Sequence, residues 1–211
     1  MLNQNIIKTY THVHVPIEYT NNNEISFEGS QKQSEFFAAW DKILKFYDNK
    51  DIKELSFLEI GAWKGLWGIA FSEFCKYKGI KGSYTTLTMM DQDINNQPLL
   101  NTLNYLNSIN IESHLIDLNT LDEQSLPEVL KIKEKFNIVF IDADHGYHAV
   151  MSDIKKFAPL ATDMLLFHDI RPKEVNSSCG VYQSIIDSNI TLDEEIISNE
   201  GIMGIGIKYI K

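Results

Sequence analysis

The segment Leu55-Ser-Phe-Leu-Glu-Ile-Gly-Ala-Trp-Lys-Gly65 decides the fold class of the chain. Its first six residues form a short, mostly apolar run that ends at a glycine, which is typical of a buried strand. Glycines allow the backbone to fold tightly, and residues 66–77 directly after them indicate a helix. The segment therefore predicts a strand, a glycine turn and a helix in immediate succession.

The same alternation continues along the rest of the chain. After an aromatic-rich helix over 34–47, the pattern predicts strands over 55–60, 84–90, 113–116, 138–141 and 164–167, and helices over 66–77, 99–109, 126–135, 149–157 and 181–188. Strands that alternate with helices predict an α/β fold with a parallel sheet covered on both faces. Two last runs, 195–198 and 203–210, have no helix between them and predict an antiparallel hairpin at one edge.

Composition limits the classes of protein to consider. The 211 residues are 44% hydrophobic and 23% charged, typical of one globular domain. No run approaches the ~18 apolar residues of a membrane span, and the N-terminal residues do not resemble a signal peptide. Two cysteines without metal-type spacing, Cys75 and Cys179, indicate reduced thiols and a cytoplasmic protein. A net charge of −10 with Arg171 as the single arginine argues against nucleic acid as the substrate.

Acidic residues lie at or near the ends of five predicted strands. They are Glu59, Asp91, Asp117, Asp142 and Asp169. Ligands of parallel sheets bind beyond the carboxyl ends of the strands, so these side chains would share one rim of the sheet. For each aspartate taken singly, capping of the following helix is the alternative. Five on one rim favour a functional site.

The residues of the glycine turn limit the class of ligand that it can bind. The three-glycine fingerprint of dinucleotide-binding enzymes is absent, because Leu66, Trp67 and Gly68 follow Gly65. Glu59, before the first glycine, would repel a pyrophosphate and suits a cationic or amine-bearing ligand. An ordinary strand-to-helix turn is the alternative for this short pattern.

The pattern Glu59-x-Gly61-x-x-x-Gly65 resembles the first motif of class I S-adenosylmethionine-dependent methyltransferases, and the local string resembles the catechol-type O-methyltransferases. The resemblance implies a Rossmann-like fold, with the seven strands predicted here, in which the turn passes under the methionine part of the cofactor. It places Asp91 on the ribose hydroxyls, with Asp93 as the alternative, and Asp117 and Leu118 near the adenine. Ala62 and Trp63 in the turn complete the expected cofactor contacts.

A second pair of strings is more specific: Val139-Phe-Ile-Asp-Ala-Asp-His-Gly-Tyr147 and Met164-Leu-Leu-Phe-His-Asp169. They resemble the macrocin-type sugar O-methyltransferases, and the resemblance covers about residues 55–170. Asp142 and Asp169 follow adjacent predicted strands, so both can reach one divalent ion, which would stabilise the acceptor oxyanion. The resemblance makes His145 the base that takes the hydroxyl proton and places Asp142 beside the cofactor and the catalytic centre.

The third metal ligand stays open at this point. Macrocin-type relatives have an acidic residue where this chain has His168, and Ile170 cannot ligate where catechol-type relatives have asparagine. His168 or Asp144 is the third ligand, or the site holds no metal. A mixed set of histidine and carboxylates would admit Mn²⁺ or Fe²⁺ as well as Mg²⁺.

We therefore expect one methyltransferase domain over residues 1–211, with 1–50 as a lid or acceptor segment and 51–211 as the cofactor-binding core. The expected reaction transfers a methyl group from S-adenosylmethionine to a hydroxyl of a small polar acceptor, a sugar or glycoconjugate, with Mg²⁺ or Mn²⁺. The alternatives are a metal-dependent oxygenase on the same fold and a non-catalytic cofactor-binding protein. Neither nucleic acid nor a membrane is an expected partner, and the sequence leaves the oligomeric state open, a homodimer included.

Overall fold

The computed structural model describes residues 18–19, 25–26, 33–90, 96–171, 179–197 and 203–210. The described strands are β1 (Glu18–Tyr19), β2 (Ile25–Ser26), β3 (Glu54–Ile60), β4 (Lys81–Thr88), β5 (Ile111–Asp117), β6 (Phe136–Ile141), β7 (Ala161–His168), β8 (Glu194–Ile196) and β9 (Ile205–Tyr209). The described helices are α1 (Gln33–Tyr47), α2 (Leu66–Lys78), α3 (Gln97–Ser108), α4 (Ser125–Ile132), α5 (Tyr147–Phe157) and α6 (Val181–Asp187), with a 3₁₀ turn at Ala158–Leu160.

Seven of these strands form one sheet in the order β5-β4-β3-β6-β7-β9-β8. Strands β3 to β7 are parallel, whereas β9 is antiparallel to both β7 and β8. The predicted Rossmann-like methyltransferase fold, with its mostly parallel sheet and antiparallel C-terminal strands, is confirmed. The small β1–β2 pair is a separate antiparallel ribbon.

The boundaries of the elements differ from the prediction mainly at polar ends. Strand β4 covers Lys81–Thr88 instead of 84–90, because its first residues pair with β3 although they are polar or lack a side chain. Strand β7 starts at Ala161 rather than at 164, and α3 starts at Gln97, with Pro98 in its first turn. Apolar runs locate the centre of a buried strand better than its ends.

Two apolar layers cover the two faces of the sheet. Successive side chains of β3 point to opposite faces. Leu55 and Phe57 pack against α1, α2 and α3 on one face. Leu58 and Ile60 pack against α4, α5 and α6 on the other. The apolar face of α1 belongs to the first layer, where Trp40 stacks on Phe57. None of the helices in the described ranges is long and apolar enough to cross a membrane.

The order of the strands indicates where a ligand would bind. From β3 the chain proceeds outward through β4 to β5, and then returns to the other side of β3 with β6. The carboxyl ends of β3 and β6 therefore border the crevice at which ligands of such sheets bind. The glycine turn follows β3 and Asp142 follows β6.

Candidate functional site

Asp142, His168 and Asp169 meet at the carboxyl ends of β6 and β7. His168 Nδ1 lies 3.1 Å from Asp142 Oδ1 and 3.2 Å from Asp169 Oδ2. One ligand atom from each of the three residues lies within 4.8 Å of the other two. The backbone turns sharply here, since Asp169 adopts a left-handed conformation with φ of 56°. The three residues predicted as metal ligands are thus close enough to share one ion.

The polar side-chain atoms of His168 and Asp169 are buried without aligned hydrogen-bond partners. His168 and Asp169 are 3% and 2% exposed. Both ring nitrogens of His168 and both carboxylate oxygens of Asp169 lack a hydrogen bond of good geometry, although the distances between them are short. Leaving such groups unsatisfied costs about 1–3 kcal/mol each, and more for charges. A divalent cation would satisfy the oxygens and one ring nitrogen together, so these residues fit a metal site.

His145 lies against the same carboxylate. Its Nε2 is 2.7 Å from Asp169 Oδ2, and its side chain is 40% exposed. Contact with the Asp169 carboxylate raises the pKa of the His145 imidazole above its ordinary value, although partial burial opposes the shift. The imidazole is therefore a stronger base than a free histidine, and one side of it is open to solvent.

The charges within the group shift one another's pKa values. Burial alone would lower the pKa of His168, but the carboxylates of Asp142 and Asp169 raise it well above the ordinary value. Burial would likewise raise the pKa of Asp169, but contacts with His145 and His168 lower it below the usual range. Asp169 is consequently an anion that holds two imidazoles around it.

The loop that carries His145 is tied to helix α6. Gly180 N donates a 2.7 Å hydrogen bond to the carbonyl of His145. Ser184 Oγ donates to the carbonyl of Tyr147 at 3.0 Å, and the Tyr147 hydroxyl donates to Asp187 Oδ2 at 2.7 Å. Asp144 Oδ1 accepts from Gly146 N at 2.6 Å, which closes a tight turn after His145. No local sequence pattern points to Gly180 or Ser184 as site residues, since only the packed fold brings α6 to this loop.

The glycine turn contacts the Asp142 loop directly. Gly61 has φ of 92°, and a Cβ atom built on it would lie 2.3 Å from the carbonyl oxygen of Asp142 and from Ala143 Cα. Only glycine fits both this conformation and this close approach. Gly61 N also donates to the carbonyl of Leu87, and Asp142 N donates to the carbonyl of Ile60, both at 2.8 Å. The glycine turn therefore lies directly beside the group formed by Asp142, His168 and Asp169.

Glu59 differs from the charged carboxylate that the sequence suggested. It is 3% exposed, and the hydroxyl of Tyr84 on the neighbouring strand donates a hydrogen bond to its Oε2. Burial raises the pKa of Glu59 to about 8, so the free protein holds it largely protonated at neutral pH. The sequence could suggest Tyr84 as its partner only once the parallel register of β3 and β4 is known.

The remaining predicted cofactor residues lie around the same rim. Ala62 is buried and its carbonyl accepts from Thr88 Oγ1, whereas Trp63 is 61% exposed. Gly65 has φ of 79° and precedes α2. Asp117 ends β5, where its Oδ1 accepts from Met90 N at 2.8 Å, and Leu118 follows it half-buried. Asp91, predicted to bind the ribose, and Asp93 lie outside the described residues.

Solved structures with this fold include several methyltransferases. An O-methyltransferase from Bacillus cereus in complex with SAH is 16% identical, with a TM-score of 0.58 over 100% of this chain and 90% of that one. CalS11, a TDP-rhamnose 3′-O-methyltransferase of calicheamicin biosynthesis, is 13% identical, with a TM-score of 0.57 over 97% and 92%. MycE of mycinamycin biosynthesis, in complex with Mg, SAH and mycinamycin VI, is 15% identical, with a TM-score of 0.59 over 98% of this chain. This chain spans 55% of the length of MycE. These likenesses establish the fold.

The sequence itself carries a family match. Residues 58–170, more than half of the chain, match the model of a family described as a methyltransferase domain. Among curated proteins, none matches the chain. The matched range contains the glycine turn, Asp142, His145, His168 and Asp169, and it favours methyl transfer over the oxygenase alternative. The chain therefore belongs to this methyltransferase domain family.

Proposed function

We propose that this methyltransferase acts on a hydroxyl group of a small polar acceptor, a sugar or glycoconjugate, with the help of a divalent ion. The observation that carries the proposal is the approach of His145 to the group formed by Asp142, His168 and Asp169, next to the glycine turn. A carboxylate-rich cation site and a base at the same place suit an acceptor whose hydroxyl must lose a proton. CalS11 methylates TDP-rhamnose and MycE binds mycinamycin VI, and such an acceptor is in line with both.

The cofactor would lie at the carboxyl ends of β3 to β6. We assign its binding to the turn residues and to the acidic strand ends, with Asp91 on the ribose. The full set is Glu59, Gly61, Ala62, Trp63, Gly65, Asp91, Asp117, Leu118 and Asp142. The positive φ of Gly61 and Gly65 allows the tight turn between β3 and α2 in which these residues lie.

The residues at the ends of β6 and β7 have different roles in the proposed reaction. When bound, S-adenosylmethionine supplies an electrophilic methyl group and a divalent ion stabilises a hydroxyl oxygen as it loses its proton. Asp142, His168 and Asp169 would hold the ion. His145 takes the proton at the ring nitrogen that faces away from Asp169, while Nε2 donates to the Asp169 carboxylate, which stabilises the imidazolium that results. The hydrogen bond from Gly180 N to the backbone carbonyl of His145 holds the loop that carries this side chain.

The proposal is tested with S-adenosylmethionine labelled in its methyl group, offered with nucleotide sugars and glycosides. We expect label on an acceptor oxygen and an equal amount of S-adenosylhomocysteine. Excess EDTA should abolish this turnover but largely spare cofactor binding measured by calorimetry, and Mg²⁺ or Mn²⁺ should restore it. Full turnover in EDTA would show that the acidic pair binds substrate instead, and label on nitrogen or carbon would contradict the hydroxyl acceptor.

A further inference from the structure

The spacing of the ligand atoms around His168 suits a compact ion. His168 Nδ1 lies 3.1 Å and 3.2 Å from one oxygen of Asp142 and one of Asp169. Two ligand atoms that each lie about 2.1–2.2 Å from an ion, at right angles, are about 3 Å apart. An ion that uses both carboxylates therefore also meets the imidazole nitrogen between them.

His168 has little freedom to leave this position. It is the last residue of β7, its side chain is 2% exposed, and its backbone pairs with Ile205 of β9. The edge of its ring packs against Phe140 with the ring centroids 6.3 Å apart. Neither ring nitrogen has an aligned hydrogen-bond partner among the described residues. The His168 imidazole is thus held in the site as a ligand by the packing around it and does not have to move there from the surface.

The kind of donor decides which ion such a site selects. Mg²⁺ prefers oxygen ligands and keeps several waters, whereas imidazole is a better ligand for first-row transition ions, for Fe²⁺ more than for Mn²⁺. We propose that His168 ligates through Nδ1 and that the site therefore selects a first-row transition ion, such as Mn²⁺ or Fe²⁺, over Mg²⁺. This inference rests on the proposed metal-assisted methyl transfer. It specifies the kind of divalent ion, which the two carboxylates alone do not determine.

Side-chain geometry provides a matched set of variants. In histidine, Nδ1 is bonded to Cγ, as Oδ1 is in aspartate and asparagine, so His168→Asp and His168→Asn place an oxygen where the nitrogen was. His168→Asn supplies a neutral oxygen donor where His168→Asp supplies a charged one, so the pair separates the effect of donor type from that of charge. His145→Gln removes the other imidazole near Asp169 and serves as the control for a second nitrogen ligand.

The experiment measures metal binding directly. Metal-free protein saturated with S-adenosylhomocysteine is titrated with Mn²⁺ and with Mg²⁺ by calorimetry, and the Mn²⁺ form is examined by electron spin echo envelope modulation. We expect the wild type to bind Mn²⁺ more tightly than Mg²⁺ by about tenfold or more, with nitrogen modulation from one imidazole. The modulation should persist in His145→Gln and disappear in His168→Asp and His168→Asn, with most of the preference for Mn²⁺ lost.

Each outcome has a definite meaning. Equal affinity for the two ions, absent nitrogen modulation in the wild type, or modulation that survives both His168 variants would overturn the inference and leave metal-assisted transfer standing. No binding of either ion, with S-adenosylhomocysteine still bound, would overturn the metal part of the proposed function as well. Thermal unfolding and S-adenosylhomocysteine binding of each variant confirm that it is folded.

Discussion

The role of His145 depends on a single contact. Its Nε2 lies 2.7 Å from Asp169 Oδ2, which raises the pKa of the imidazole and orients it. His145→Ala removes the base and should lower kcat by about 10²–10⁴, with cofactor affinity little changed. His145→Gln is polar but cannot accept a proton at neutral pH and should be nearly as slow. The wild-type rate should rise with pH as the imidazole loses its proton.

Steady-state kinetics together with calorimetry test this prediction. The rising limb of the pH profile should be absent from the residual activity of both variants, because the group that titrates has been removed. If His145→Ala keeps most of its activity at neutral pH, the histidine is structural, and another group takes the proton.

Glu59 links the glycine turn to the stability of the fold. Burial raises its pKa from 4.5 to about 8, so the folded state binds a proton that the unfolded state releases between these values. The contribution is complete below about pH 4.5 and is lost as the pH rises through 8. Such a shift is worth about 3–5 kcal/mol in the free energy of unfolding. Glu59→Gln cannot lose a proton, and its amide oxygen can still accept from Tyr84.

Urea unfolding at pH 5.5, 7 and 8.5 compares the two proteins under conditions where the other titrating groups cancel. The free energy of unfolding of the wild type should fall relative to that of Glu59→Gln as the pH rises. Parallel pH curves would mean that Glu59 is ionised in the folded protein and that its burial costs nothing at neutral pH.

At the scale of elements, helix α6 positions the base without touching the reacting groups. Gly180 precedes α6 with φ of −128°, a value that other residues also adopt, so the constraint on it is steric. A Cβ atom there would lie 2.6 Å from Tyr147 Cβ and 2.8 Å from Tyr147 N. Gly180→Ala should therefore push α6 away from the His145 loop, and displacements near 1 Å can cost about 10²-fold in rate.

The readout separates a positioning role from general damage to the fold. We expect Gly180→Ala to lower kcat by about 10- to 100-fold. The affinity for S-adenosylhomocysteine and the KM for the cofactor should stay nearly unchanged. Ser184→Ala, which removes the hydrogen bond to the Tyr147 carbonyl but adds no clash, should have a smaller effect in the same direction. A variant with wild-type kcat would show that the loop does not need α6.

At the scale of the whole molecule, the order of apolar runs was enough to predict the sheet, its covered faces and the antiparallel end. The same runs predict Asp142 and Asp169 at the carboxyl ends of β6 and β7, because Asp142 directly follows one apolar run and Asp169 follows the other after one residue. Two contacts of the site join elements far apart in the sequence: the pairing of Glu59 with Tyr84 and the packing of Gly180 on Tyr147. No local pattern contains them, since they arise only when the elements pack.

The whole account depends on one arrangement: the cofactor over the glycine turn and an ion beside it. Diffraction from crystals grown with S-adenosylhomocysteine and Mn²⁺, with anomalous data at the manganese edge, tests it most directly. The account predicts S-adenosylhomocysteine along the turn from Gly61 to Gly65, and one anomalous peak within about 2.5 Å of Asp142, His168 and Asp169. Cofactor bound away from the turn, or no manganese peak at these three residues, would contradict it.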